Sequence, residues 1–422
     1  MYIFLNPAAL LLSSSVASHP IAIGSSGSGN PIAIGSTEHF DVSHFCGISI
    51  KSATLVIQLH LFFLLRSQGA IRCFVFKKIK GTFFHNSLFS KSFFLLLFVA
   101  ANSSYSFCQQ IKQAEDYGFR HFQITYKNDP VDILIKSAKG EEKKQKPLLL
   151  FCQGSMPIPL ILYYEKGGFG TFPFNPDSLS HDYHIAIVGK PFIPVIADIK
   201  TLQNDYCYRD STGNFPAAYI QRNLLTYYTA RNLEVIKFLQ KQPWISKDKL
   251  VVAGHSEGSN ISSKLASQSK KITHLIYSGG NPLGRILTII TRSRHADADS
   301  FQYTENVFNN WQAIVEEPEK MDTSKGDNYK ATYEFSIPPF AYLEKIKIPV
   351  LVCYGTKDEG AVPFNDYLRV EMIRRKKTNF SFNAYFGTEH NYFGLKPDGQ
   401  TDYDKFNWDK VAMDWLKWLR KN

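Results

Sequence analysis

Lys249–Ala266 reads KLVVAGHSEGSNISSKLA, and the rest of the chain is read outward from it. Leu250–Ala253 is a short apolar run closed by a glycine, the pattern of a buried strand. Gly254-His255-Ser256-Glu257-Gly258 follows as a tight turn, and the residues after it, among them Ser259, Ile261 and Ala266, suit a helix. Strand, G-x-S-x-G turn and helix together make a nucleophile elbow. A serine on so sharp a turn sits in strained backbone, and its neighbours two places away come too close to tolerate a Cβ; Gly254 and Gly258 stand at those two places. Ser256 is therefore the candidate nucleophile, and the N–H of Glu257 at the helix start is expected to face a developing oxyanion. The competing reading is a glycine-rich turn with an ordinary surface serine; the apolar strand before it and the helix after it weigh against that.

The chain has 422 residues, 44% apolar and 14% aromatic, enough for a sizeable core in one large domain with insertions or in two domains. The net charge of +11 is unevenly placed. Residues 1–106 hold seven Lys/Arg against Glu38 and Asp41, a balance of +5, so +6 is spread over the remainder. No basic stripe interleaved with aromatics is present, and a nucleic-acid partner is not expected. The six cysteines (46, 73, 108, 152, 207 and 353) show no C-x-x-C spacing, which speaks against a zinc site or a thioredoxin-like pair. Cys152 and Cys353 sit in apolar strand-like runs and read as buried small hydrophobes; Cys108 and Cys207 are the candidates for a disulfide.

Residues 1–106 do not read as a folded domain: PIAIGS occurs twice around Gly/Ser filler, and the apolar run Ala53–Leu65 is too short to span a bilayer. Lys77, Lys78, Lys80 and Lys91, the apolar core Phe93–Ala101, and small residues at Ser104 and Ser106 have the composition of a secretory signal peptide, about 90 residues late. The expectation is a spurious or disordered extension over 1–90, a signal peptide over 91–106, and an exported (periplasmic, secreted or envelope-associated) mature chain over 107–422 with no stable membrane insertion. A lipid anchor on Cys108 is a weaker option, because bulky Phe107 precedes it.

From Phe119 the pattern turns regular. FRHFQITYKNDPVDILIKS reads as two strands joined at Asn128-Asp129-Pro130. Pro147–Cys152 is an apolar strand followed by Gln153-Gly154-Ser155, where Ser155 is the candidate for a second oxyanion N–H. The glycines of Lys166–Phe172 do not fit a dinucleotide fingerprint and read as a mobile loop. His184–Val188, Thr273–Tyr277, Pro349–Tyr354 and Phe380–Phe386 read as further strands, 217–242 as one long amphipathic helix, and Trp408–Leu419 as a terminal helix. Strands alternating with helices imply a mostly parallel sheet covered on both faces. The polar segment 281–345, with helical pieces around Ser300–Glu317 and Asn328–Tyr333, reads as a helical lid insertion. Within it His295-Ala-Asp297-Ala-Asp299 looks like a metal cluster but reads better as a solvated loop.

A serine needs a base, and the base an orienting acid. Asp358 lies just past the strand Pro349–Tyr354, and His390 lies in the loop before the terminal helix; the chain order is Ser256, Asp358, His390. On these residues the chain resembles a serine hydrolase of the α/β-hydrolase superfamily, in the dienelactone-hydrolase, prolyl-oligopeptidase and serine-aminopeptidase branch. Trp244–Leu250 shows that branch's W-[IV]-x-x-x-[KR]-[LIV] approach to the elbow. The resemblance covers about 119–421. It implies Ser256 as nucleophile, His390 as base, Asp358 as its orienter, and the amides of Glu257 and Ser155 as the oxyanion hole. One departure is Glu359-Gly360-Ala361 before Val362-Pro363, where the family often has two residues; this makes Glu359 a rival for the acid role.

The expected function is cleavage of a carboxylic ester, thioester or amide in a small-molecule or peptide substrate, with no cofactor and no metal. An exported peptidase, for which Glu165, Glu317 or Glu359 would hold the substrate amine, is one alternative; a non-catalytic binding member is another. A third, a membrane-embedded protein, would need residues 53–101 in the mature chain.

Overall fold

The computed structural model describes residues 112–298, 302–322 and 327–422. The Ala53–Leu65 run, the signal-like segment and Cys46, Cys73 and Cys108 lie outside the described residues.

Two strands, β1 (Arg120–Tyr126) and β2 (Asp129–Lys136), form a hairpin at the edge of an eight-stranded sheet. Its turn is Lys127-Asn128, both at positive φ, one place earlier than the sequence suggests; the right-handed twist of a hairpin favours that two-residue turn. The sheet continues through β3 (Lys146–Cys152), β6 (His184–Val188), β8 (Ile245–His255), β9 (His274–Ser278), β10 (Val350–Gly355) and β11 (Phe380–Tyr385). The spatial order is β1-β2-β6-β3-β8-β9-β10-β11, and from β6 to β11 every pairing is parallel.

Alternation along the strands sorts the core onto two faces. On one, Leu148, Leu150, Val252, Leu275 and Val352 pack under the helices α3 (Leu225–Leu239), α4 (Glu257–Gln268) and α9 (Val362–Arg374). On the other, Leu149, Phe151, Val251, Ile276 and Leu351 pack against α1 (Asp177–Ser180) and α10 (Trp408–Lys421). Burial on both faces is why these strands are continuously apolar rather than alternating. The α10 tryptophans carry much of the second face: Trp415 is fully buried, with ring centroids 5.5 Å from Phe174 and 6.1 Å from Trp408.

Two expectations are corrected. The stretch 217–242 is two helices, α2 (Ala217–Arg222) and α3, broken at Asn223-Leu224. Asn223 Oδ1 accepts the Tyr228 hydroxyl (2.9 Å), and the start of α3 is capped by Glu334, which accepts from Thr226 N and Oγ1 at 2.8 Å each. A helix end satisfied by a carboxylate 108 residues away leaves no local capping pattern. The glycines read as a mobile loop form a strand, β5 (Gly167–Gly170), in a small sheet with β4 (Ile161–Tyr164) and β7 (Ile196–Asp198). They are glycines because rings lie on them: a Cβ at Gly168 would strike the Tyr117 ring, and one at Gly170 would sit 2.7 Å from Phe119.

Between β9 and β10 the chain leaves the sheet for α5 (Arg285–Arg294), α6 (Tyr303–Glu316), α7 (Tyr329–Ser336) and α8 (Phe340–Leu343). The presumed solvated loop there has a role: Asp297 caps α6, accepting from Thr304 N (2.9 Å) and Oγ1 (2.8 Å). Cys152, Cys207 and Cys353 are free and buried. No helix among the described residues is long and apolar enough to cross a membrane.

Truncating Trp415 would empty the centre of the α10 face. Trp415→Ala is expected to destabilise the fold by about 3–5 kcal/mol, read from urea denaturation midpoints. A loss below about 1 kcal/mol would mean that α10 is not a structural part of the core.

Candidate active site

The carboxyl ends of β3, β8, β10 and β11 bring the candidate residues to one edge of the sheet, where open α/β sheets hold their ligands. β8 ends at His255, and Ser256 follows at φ 57°, ψ −124°. A non-glycine residue there is strained, and the surroundings over-determine it. Ser256 N donates to Ser278 O (3.0 Å), while Ser256 O accepts from Ser259 N (3.0 Å) and Ser259 Oγ (2.6 Å). The flanking glycines are required by close backbone approach. A Cβ on Gly254 would run into the Gly258 carbonyl, and one on Gly258 into the Cys152 carbonyl at the end of β3. The Gly154 turn after β3 lies alongside, its Cβ position 3.7 Å from Ser256 Cβ. Ser155 is exposed, and its carbonyl accepts from the Tyr219 hydroxyl at 3.1 Å. Among the described residues no acceptor takes up the N–H of Glu257 or of Ser155.

Asp358 is buried past β10, its carbonyl accepting from Ala361 N (3.0 Å) and Val362 N (2.8 Å) at the start of α9. Its Oδ2 lies 2.7 Å from His390 Nδ1. The rival Glu359 is exposed and faces His295 Nε2 at 3.1 Å. His390 is held by a folded-back loop. Glu389 Oε1 accepts from Asn391 N (2.8 Å) and Phe393 N (3.0 Å), and Asn407 Nδ2 donates to Tyr392 O (2.9 Å). A small hairpin absent from the sequence reading, β12 (Phe393–Leu395) and β13 (Thr401–Phe406), continues that loop. No hydrogen bond joins His390 to Ser256 Oγ; in a substrate-free site such contacts are commonly loose and tighten on binding.

His255, read from the sequence as a packing residue, lies behind His390, with ring centroids 4.9 Å apart and planes tilted by 42°, and lies edge-on to Trp408 at 4.7 Å. Its Nδ1 is 3.1 Å from Ser278 Oγ, itself 2.6 Å from the Tyr392 hydroxyl. Burial pushes the His255 pKa well below the ordinary range, and the neighbouring His390 acts the same way. His255 is therefore neutral and adds no fixed charge against a protonated His390. Glu165 and Glu317, two candidates for holding a substrate amine, are in surface ion pairs with Lys200 and Lys320.

The sequence reading used only the amide of Glu257. Its side chain is buried, with Oε1 accepting from Lys190 Nζ (2.8 Å) and Oε2 from Arg285 Nη2. Its G-x-S-x-G position gives no hint of those partners, because they come from a loop and a helix elsewhere in the chain.

The expected outcome for Gly258→Ala is a loss of about 1–3 kcal/mol or more, since the added methyl must displace backbone. Thermal unfolding checks it: a Tm equal to wild type would mean that α4 does not press on β3 as described.

No curated protein matches the chain. Residues 220–421 match the model of the prolyl oligopeptidase family. Among solved structures the chain is similar to the acylaminoacyl peptidase of Pyrococcus horikoshii (14% identity, TM-score 0.45), covering 73% of this chain and 42% of that one. It is also similar to Est1E of Butyrivibrio proteoclasticus (16% identity, TM-score 0.37, 64% and 90% covered). A third likeness is to 2,6-dihydroxy-pseudo-oxynicotine hydrolase (14% identity, TM-score 0.41, 71% and 67% covered). The chain thus spans about two fifths of the length of the first of these. The mostly parallel sheet, the strained serine between two glycines and the family match over residues 220–421 together give the chain the α/β-hydrolase fold.

Proposed function

We propose that this protein is a serine hydrolase that cleaves a carboxylic ester, thioester or amide through an acyl-enzyme on Ser256. The observation that carries the reading is the 2.7 Å contact between buried Asp358 and His390 Nδ1. An ionised carboxylate there keeps the imidazole proton on Nδ1 and leaves Nε2 as the basic atom. Nε2 takes the Ser256 hydroxyl proton as Oγ bonds the substrate carbonyl carbon, and returns it to the leaving alcohol, thiol or amine as the scissile bond breaks. Water then repeats the sequence: it loses a proton to Nε2, adds to the acyl carbon and frees Ser256 with the acid product. The amides of Glu257 and Ser155 face the oxyanion in each half.

The insertion 281–345 is read as the cap that shapes the substrate pocket. Its start borders the acid loop: Thr288 Oγ1 of α5 (3.0 Å) and Asn281 Nδ2 just before that helix (3.2 Å) donate to the Gly360 carbonyl, two residues past Asp358. A peptide or aminoacyl substrate is the second reading, favoured by the match of residues 220–421 to a peptidase family. Export is part of the proposal and rests on the lysine, apolar and small-residue pattern of Lys77–Ser106.

Wild type and Ser256→Ala are treated with a fluorophosphonate probe and then given p-nitrophenyl acyl esters and aminoacyl anilides. Labelling confined to wild type is expected, and the panel that turns over separates esterase from peptidase. A folded wild type that neither labels nor turns over would bring the binding-protein reading forward. Asp358→Asn is expected to lower kcat on the order of 10³–10⁴-fold, because the neutral amide no longer fixes the tautomer. An unchanged kcat would remove Asp358 from the mechanism. For export, N-terminal sequencing of the protein recovered outside the cytoplasm is expected to begin near Phe107 or Gln109; a start upstream of residue 90 would overturn it.

A further inference from the structure

The Glu257 side chain has no part in the chemistry above, yet its environment is costly. The carboxylate is 2% exposed and touches two cations from two other parts of the chain. Lys190, itself 2% exposed, comes two residues past the end of β6. Arg285 is the first residue of α5, in the insertion. Its guanidinium donates Nη2 to Glu257 and Nη1 to Asp327 Oδ2 (3.2 Å), and lies 4.3 Å over the Phe335 ring. Burying one such charge without a partner is strongly unfavourable. Here burial would raise the Glu257 pKa, but Lys190 and Arg285 together outweigh it and hold the group ionised.

The consequence is mechanical. Each carboxylate oxygen is held from a different segment, so the side chain of the first α4 residue cannot rotate without breaking a charge-assisted hydrogen bond. The N–H of that same residue is the oxyanion donor proposed above. Arg285 is itself clamped: Gly284 stands at φ 100° where a Cβ would strike the Ser336 carbonyl, and Ile286 N donates to Ser336 Oγ at 3.0 Å. α4 is tied to the same place by Asn260 Nδ2, which donates to Phe335 O at 3.1 Å.

We infer that Lys190 and Arg285 are positioning residues that act through Glu257 to aim its amide, so that the oxyanion geometry depends on the seating of the 281–345 insertion. This rests on the hydrolytic reading of the site, which does not itself require it.

The test compares wild type with Arg285→Met, Arg285→Lys and Glu257→Gln, reading kcat, KM, Tm and amide hydrogen exchange over residues 254–260. A misaimed donor should cost part of the 10²–10³-fold that a lost one does, so Arg285→Met and Glu257→Gln are expected to lower kcat about 10-fold or more. KM should stay within about 2-fold, since the interaction lost belongs to the transition state. Exchange over 254–260 should quicken in both, and Arg285→Lys should recover much of kcat because it keeps a cation on Glu257. Variants with a lower Tm but wild-type kcat and exchange would overturn the inference and leave the cluster a scaffold. If Arg285→Met does not fold, Glu257→Gln decides: it removes the charge that both cations hold, so a kcat and exchange identical to wild type count against the inference. If wild type turns over no substrate, the hydrolytic reading falls, and exchange alone decides whether the cluster holds the elbow.

Discussion

The close approach of three backbones governs this site. The first turn of α4 lies against the ends of β3 and β8 so tightly that neither Gly254 nor Gly258 has room for a Cβ. Ser256 sits between them in left-handed backbone that no isolated peptide would favour. That geometry persists because the surrounding sheet supplies its hydrogen bonds, from Ser278 on β9 and from Ser259 within α4. Burial of the strands on both faces makes the sheet rigid enough to impose it.

Electrostatics around the serine are sorted by burial and partner. Asp358 is buried beside His390, while the adjacent Glu359 points to solvent and meets His295; two neighbouring carboxylates thus have unlike surroundings. His255 is neutral because it is buried, so the ring packed against His390 brings bulk without charge. Glu257 is ionised despite burial because two cations meet it. For His255 and Glu257 the local dielectric and the nearest charge set the state.

The elbow was legible before any coordinates because it is a local device: strand, glycines, serine and helix are contiguous, and steric exclusion dictates the residue types. The order of Ser256, Asp358 and His390 was legible because each follows an apolar run, and the ends of parallel strands share one edge. Less was readable where partners are remote. The break at Asn223-Leu224 depends on Glu334, and the glycines of β5 answer to the rings of Tyr117 and Phe119. The 393–406 hairpin is not legible because β12 is only three residues long and β13 is largely polar, so neither shows a period.

The sequence by itself determined the strand-and-helix alternation, the strained turn and the chain order of the candidate residues. These follow from steric rules and hydrophobic period acting over a few residues. Only the tertiary structure decided that Asp358 rather than Glu359 meets His390, that His255 packs behind that ring, and that Lys190 and Arg285 close on Glu257. Those are contacts between segments that lie apart in the chain. The physical reason is range: steric exclusion acts between neighbours in the chain, whereas charge pairing inside a core depends on which distant segments packing brings within about 3 Å of each other.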